Sequence, residues 1–282
     1  MTAQSLLAWA AFFLYSAATF AAFGYLFSKD PRASRAMLVL LGLGLILHAA
    51  GFAAHVAVFW AYPENRFFLP LNSFFGALSY MSLALAAAFY LVEGPNRLGI
   101  LGAFVLPWAA LALGAALVFA SPRAQPLPEP LRSYWLNIHP MLLMTAYAAF
   151  ANAFGVAVAR LIQEAQIKSR KPSELCYRLP SLDELDALNA RIIGWAFPVL
   201  VAGLAMGFVW ARIDWGRVWT WDPKLTLAVV TAAIYGAFLW MRVAGRRGRR
   251  GVYVSMLGFA SVLITFFGAG LLGGRHVFMG PR

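Results

Sequence analysis

The sequence predicts an all-α polytopic membrane protein with eight transmembrane helices, and three observations predict it. The 282 residues are 62% hydrophobic and only 12% charged, a composition that excludes an ordinary soluble domain. The apolar residues fall into eight runs, each near the roughly 20 residues that cross a hydrocarbon core about 30 Å thick. None of the runs contains Asp, Glu, Lys or Arg, as required where each central charge costs at least about 2.5 kcal/mol.

The first run, 5–27, has no basic residue before it and Lys29, Arg32 and Arg35 after it. That is the reverse of a secretory signal, so it reads as a mature helix. The second, 36–59, carries His48 near its middle and His55 seven residues later. The two lie on nearly the same helix face, about 10 Å apart at 1.5 Å per residue. Runs three and four, 72–92 and 98–120, carry neither charge nor histidine, and the fifth, 139–159, opens on His139. In the connector that follows, Ser181 and Glu184 fit a capping box that starts a short amphipathic segment ahead of the sixth run, 192–211. "DWGRVWTWDP", within a loop of about 210–224, joins the sixth run to the seventh, 225–241, and the eighth, 252–273, ends just before His276. No linker or change of composition divides the chain, so residues 1–282 read as a single membrane domain.

The net charge of +12 does not indicate nucleic acid, because the basic residues sit in short connectors between apolar runs. One alternating set of connectors holds 15 Lys and Arg residues and the other holds 8. By the positive-inside rule both termini and the tryptophan loop are expected outside the cytoplasm. Cys176 is the sole cysteine, so the chain has neither an internal disulfide nor a CxxCH haem-attachment sequence of its own.

The same topology puts His139 and His276 on the side of the tryptophan loop. Interface tryptophans often form only an aromatic belt, and a membrane histidine often serves only to bind a neighbouring helix. Both readings remain open for these residues. The loop nonetheless holds more than a belt needs. Trp215 and Trp219 are one turn apart and would form a continuous flat surface if the connector were helical, with Trp221 turned elsewhere. Arg212, Arg217 and Lys224 lie among them. Flat apolar surface, cations for propionates and imidazoles from separate helices suit an iron porphyrin. His48 and His55, sharing one face, do not suit a sandwich of a single iron.

"WGRVWTWDPK" resembles the WWD signature of the cytochrome c assembly proteins, and "LPSLDELDALNARIIGWAFPVLVAGLAMGFVWA" is similar to the stretch before it in the System II branch, CcsA or ResC. "WLNIHPMLLMTAYAAF" resembles that family's histidine-bearing helix start, and "LGLILHAAGF" its early membrane histidine. The resemblance implies binding and outward transport of haem b in the cytoplasmic membrane, and its presentation to the CxxCH of an apocytochrome c. It implies a CcsB- or ResB-like partner subunit, with which the chain would form part of a haem lyase. It makes His139 and His276 the outer axial ligands and His48 the ligand at an intramembrane site. Trp215, Trp219, Trp221 and Asp222 become the haem platform, with Arg217 beside it. Asp222 either orients an imidazole or fixes the loop. Leu225 stands where the family often has glutamate, and Trp240 where it often has a histidine. These departures leave room for a haem-binding protein that regulates haem synthesis instead. A transporter of an unrelated solute fits less well, since such proteins place ionisable residues near mid-membrane and this chain offers only His48 and His55 there.

Overall fold

The computed structural model describes residues 2–268 except 29, 97–98, 130–131, 134, 170, 172, 220 and 247, and leaves aside the side chains of 93–96, 136, 214, 215 and 268. Its eight long helices are α1 (Ala3–Ser28), α2 (Pro31–Phe59), α3 (Phe74–Asn96), α4 (Gly102–Phe119), α5 (Trp135–Lys168), α6 (Leu182–Trp215), α7 (Pro223–Val243) and α8 (Arg249–Leu263). A π-helical turn, Ile264–Gly268, follows α8. Each of these helices holds or lies within a segment long and apolar enough to cross a membrane, and the chain is a multi-pass membrane protein.

Local chemistry sets the helix ends. Asp30 caps α2 by accepting from the Arg32 N–H at 2.9 Å, with Pro31 at the first helical position. The Arg178 guanidinium donates to the Leu26 carbonyl at 2.9 Å and to that of Phe27, closing the end of α1. The Ser181–Glu184 capping box is present, but the helix it starts runs unbroken to Trp215. The amphipathic segment and the sixth span are therefore one helix, since no Gly or Pro interrupts 182–193.

α1 and α2 form an antiparallel hairpin along a seam of small residues. Ala8, Ala11, Ala18 and Ala22 of α1 are buried, as are Gly44 and Gly51 of α2. Small residues let backbones approach closely where lipid supplies no hydrophobic drive between helices. Tyr15, His48, Gln4 and His55 occupy the same buried faces. The two histidines are thus sealed between helices.

Polar ties define the two ends of the bundle. At one end the Asn65 amide donates to the Gln125 carbonyl at 2.9 Å and accepts from the Leu127 N–H at 2.7 Å. Asn137 donates to the Phe67 carbonyl and accepts from the Leu69 N–H, both at 2.8 Å. This clamp holds Phe67 at a left-handed φ of 71°, unusual for a bulky residue. At the opposite end Arg160 pairs with Asp186 at 3.1 Å and with Glu164, which also meets Lys168.

A methyl group added at Gly44 would lie 2.7 Å from the buried Tyr15 ring, whereas one at Gly42 would make ordinary contact with Tyr90 at 3.7 Å. Gly44→Ala is therefore expected to destabilise the protein by about 1–3 kcal/mol, with Gly42→Ala near neutral. Thermal unfolding of both variants in detergent checks this.

Candidate functional site

The fifth and sixth helices pack tightly where α6 carries Gly203 and Gly207. A side-chain carbon at Gly203 would lie 2.8 Å from Leu143, and one at Gly207 would lie 2.6 Å from Cε1 of His139. The four-residue spacing of these glycines is the small-residue pattern of close helix contacts, and it was the readable signal for this packing.

The His139 Nδ1 lies 2.7 Å from the Gly203 carbonyl oxygen. A carbonyl only accepts, so Nδ1 carries the proton and donates it. In the neutral ring Nε2 then holds its lone pair, the arrangement that outer hydrogen bonds impose on metal-ligating histidines. Phe208, which follows Gly207 on α6, packs against Trp219, with centroids 6.5 Å apart. One turn of α6 therefore anchors both the imidazole and the tryptophan loop.

That loop departs from the helical connector the spacing allowed. Gly216, at a left-handed φ of 69°, ends α6 directly after Trp215, and Arg212 donates to the Gly216 carbonyl. Trp219 therefore stacks on no turn of helix below it. Instead it meets Trp221 edge-on, at 5.5 Å and 87° between planes. Trp221 is 83% exposed and Trp219 37%, and Arg217 is exposed beside them. The Trp215 side chain lies outside the description.

Asp222 is buried at the far end of the loop and caps α7. Its Oδ1 accepts from the backbone N–H groups of Lys224 at 3.0 Å and Leu225 at 3.3 Å. Of the two roles open to it, the observed contacts are those of a loop anchor. Leu225 contributes its backbone N–H, which any residue but proline could supply. Trp240 sits near the opposite end of α7, 61% exposed, with the Arg246 guanidinium 5.3 Å from its ring centre. A ring so placed is an interface anchor.

His48 and His55 lie in the α1–α2 seam, apart from the loop. His48 is fully buried; its Nδ1 is 3.2 Å from the Tyr15 hydroxyl and its Nε2 is 2.9 Å from the Ser79 hydroxyl. His55 Nδ1 is 3.1 Å from Oε1 of Gln4. Sequence reading overlooked Gln4, since a glutamine in a first helical turn carries no signal by itself. His276 lies outside the described residues. Among those described, no three His, Cys, Asp or Glu side chains come together as a metal cluster. An iron held by a porphyrin needs only axial donors.

The sequence profile of the Cytochrome C assembly protein family matches residues 71–276 of this chain. Cytochrome c biogenesis protein CcsA of Synechococcus elongatus is 29% identical over 249 residues, spanning 72% of this chain and 76% of that protein. Its counterpart in Porphyra purpurea is 27% identical over 242 residues, with the same two coverages. Among solved structures, cytochrome c haem lyase CcmF shares the fold with a TM-score of 0.73 at 17% identity. That match covers 96% of this chain, which spans 50% of CcmF.

Asp222→Ala is expected to cost about 1 kcal/mol by uncapping α7, while Asp222→Asn keeps most of the stability. Thermal unfolding, with limited proteolysis of the 216–221 loop, reads both.

Proposed function

The chain belongs to the cytochrome c assembly protein family, and on that premise we propose that it carries haem b across the cytoplasmic membrane. It then presents the haem to the CxxCH of an exported apocytochrome c for covalent attachment. The observation that carries this reading is the His139–Gly203 hydrogen bond, which presets Nε2 as an electron-pair donor on the helix, α6, that also supports the tryptophan loop through Phe208. The Lys and Arg imbalance of 15 to 8 favours placing this end of the bundle outside the cytoplasm.

In this reading His139 and His276 would supply the imidazole ligands of the iron, and Trp215, Trp219 and Trp221 the flat apolar surface for the macrocycle. The exposed Arg217 meets a propionate, and Asp222 holds the loop in register by capping α7. The fit is supported by Gly207, whose missing side chain leaves room for the imidazole. His48 takes the intramembrane ligand role that the resemblance gives it only if one of its two hydroxyl partners lets go. The chain contributes positioning and ligand exchange. Thiols of the apocytochrome, kept reduced by other factors, add across the haem vinyl groups while the haem is held. A CcsB- or ResB-like membrane subunit completes the haem lyase.

Purification with and without that subunit, followed by absorption spectroscopy and a pyridine haemochrome assay, tests the proposal. A low-spin six-coordinate spectrum is expected, weakened in His139→Ala and His276→Ala and restored by added imidazole. Gly207→Ala crowds the His139 ring and is expected to weaken haem binding about tenfold, the scale of changes to a ligand's supporting shell. An unchanged spectrum and normal cytochrome maturation in both histidine variants would overturn the ligand assignment.

A further inference from the structure

The turn between α7 and α8 concentrates positive charge that no acidic side chain answers. Arg242, Arg246, Arg247, Arg249 and Arg250 crowd into this connector, and no Asp or Glu follows Asp222 in the sequence. At the same end of the bundle the ion pairs among the described residues join Arg160, Lys168 and Arg178 to Glu164, Glu174 and Asp186, and none reaches the turn. Arg246, Arg249 and Arg250 are exposed. Gly248 gives α8 no side-chain cap, and Arg249 and Arg250 occupy its first turn, where the macrodipole opposes a cation and favours an anion. The turn also rests on a further cation. A side-chain carbon at Gly248 would lie 4.0 Å from the buried Arg160 guanidinium.

Basic connectors beside a span need no ligand to explain them, because insertion favours them. Two guanidinium groups here are placed more closely than that requires. Arg246 lies over the Trp240 ring at 5.3 Å and Arg249 over the Tyr253 ring at 5.4 Å, its Nε donating to the Tyr253 hydroxyl at 2.8 Å. Stacking steadies each planar fork, and the bond to Tyr253 leaves the two terminal nitrogens of Arg249 for a bidentate acceptor such as phosphate. Val243 and Leu257, one helical turn from the two rings, are exposed apolar side chains. A free phosphate would use the cations alone, whereas a phospholipid would cover the apolar flanks as well. We propose that the α7–α8 turn binds an anionic phospholipid, its phosphate held by Arg246 and Arg249 and its acyl chains lying along Val243 and Leu257. Trp240 and Tyr253 act as positioning residues at the depth where hydrocarbon gives way to headgroups. A zwitterionic lipid brings a cation of its own and answers the cluster less well. The site makes no use of haem. It steadies the end of α7 opposite to the one that Asp222 caps.

The test follows thermal unfolding of the purified full chain in detergent, titrated with dioleoylphosphatidylglycerol, dioleoylphosphatidylcholine or inorganic phosphate. Phosphatidylglycerol is expected to raise the midpoint, as a ligand of the folded state does, and the other two to leave it unmoved. The pair Arg246→Gln with Arg249→Gln is expected to need about tenfold more phosphatidylglycerol for the same rise. Trp240→Leu with Tyr253→Leu keeps every charge and should need about threefold more. Arg32→Gln with Arg35→Gln removes equal charge from the exposed start of α2, where Asp30 supplies the cap, and is expected to stay within about twofold of the parent. If the glutamine pair lowers the midpoint without lipid, Arg246→Lys with Arg249→Lys, which keeps the charge but loses the guanidinium fork, gives the same comparison. Equal losses in the α2 and α7–α8 arginine pairs would mean diffuse attraction to an anionic surface and would overturn the site. A rise with phosphate alone, which marks a free anion, or an equal rise with both lipids, would overturn it too.

Discussion

A polar atom inside a helix bundle in hydrocarbon has no bulk water to turn to, so its partner must come from another part of the chain. This constraint organises the rest of the structure. Each described histidine is held by a group on a different helix: His48 by Tyr15 and Ser79, His55 by Gln4, and His139 by the Gly203 carbonyl. The partner does more than satisfy the ring. Where it is a carbonyl or amide oxygen it decides which nitrogen keeps the proton, and so which nitrogen can donate electrons to a metal. Where the partners are hydroxyls on both sides, as at His48, neither nitrogen is set aside in this way.

Such partnerships require helices that approach closely, and glycine permits it. Gly44 and Gly51 bring α2 against α1, and Gly203 and Gly207 bring α6 against α5. At Gly44 and Gly207 the absent side chain is replaced by an aromatic or imidazole ring from the neighbouring helix. Packing and chemistry are therefore coupled at the same residues. The Gly207–Phe208 pair extends the coupling to the loop, touching His139 with one residue and Trp219 with the next.

The tryptophan loop owes its form to its two ends. Gly216 ends α6 in a left-handed conformation and Asp222 starts α7, so the residues between them are released from helical geometry. Exposed indoles result, in place of a stacked helical face. Asn65 and Asn137 tie the neighbouring loops at the same end, and ion pairs around Arg160 serve the opposite end.

Hydropathy by itself determined the eight helices, the absence of charge within the eight apolar runs and the position of the tryptophan loop, because each is a property of one continuous segment. The capping box at Ser181 and Glu184 was legible for the same reason, although not the unbroken helix beyond it. The WWD signature made the family readable, since its residues are neighbours in the chain. Tertiary structure decided which imidazole nitrogens carry protons and that Trp219 leans on Phe208. The physical reason is distance along the chain: Gln4 and His55 are 51 residues apart, and His139 and Gly203 are 64. No local pattern specifies a hydrogen bond across such a span; only the packing of helices brings donor and acceptor together.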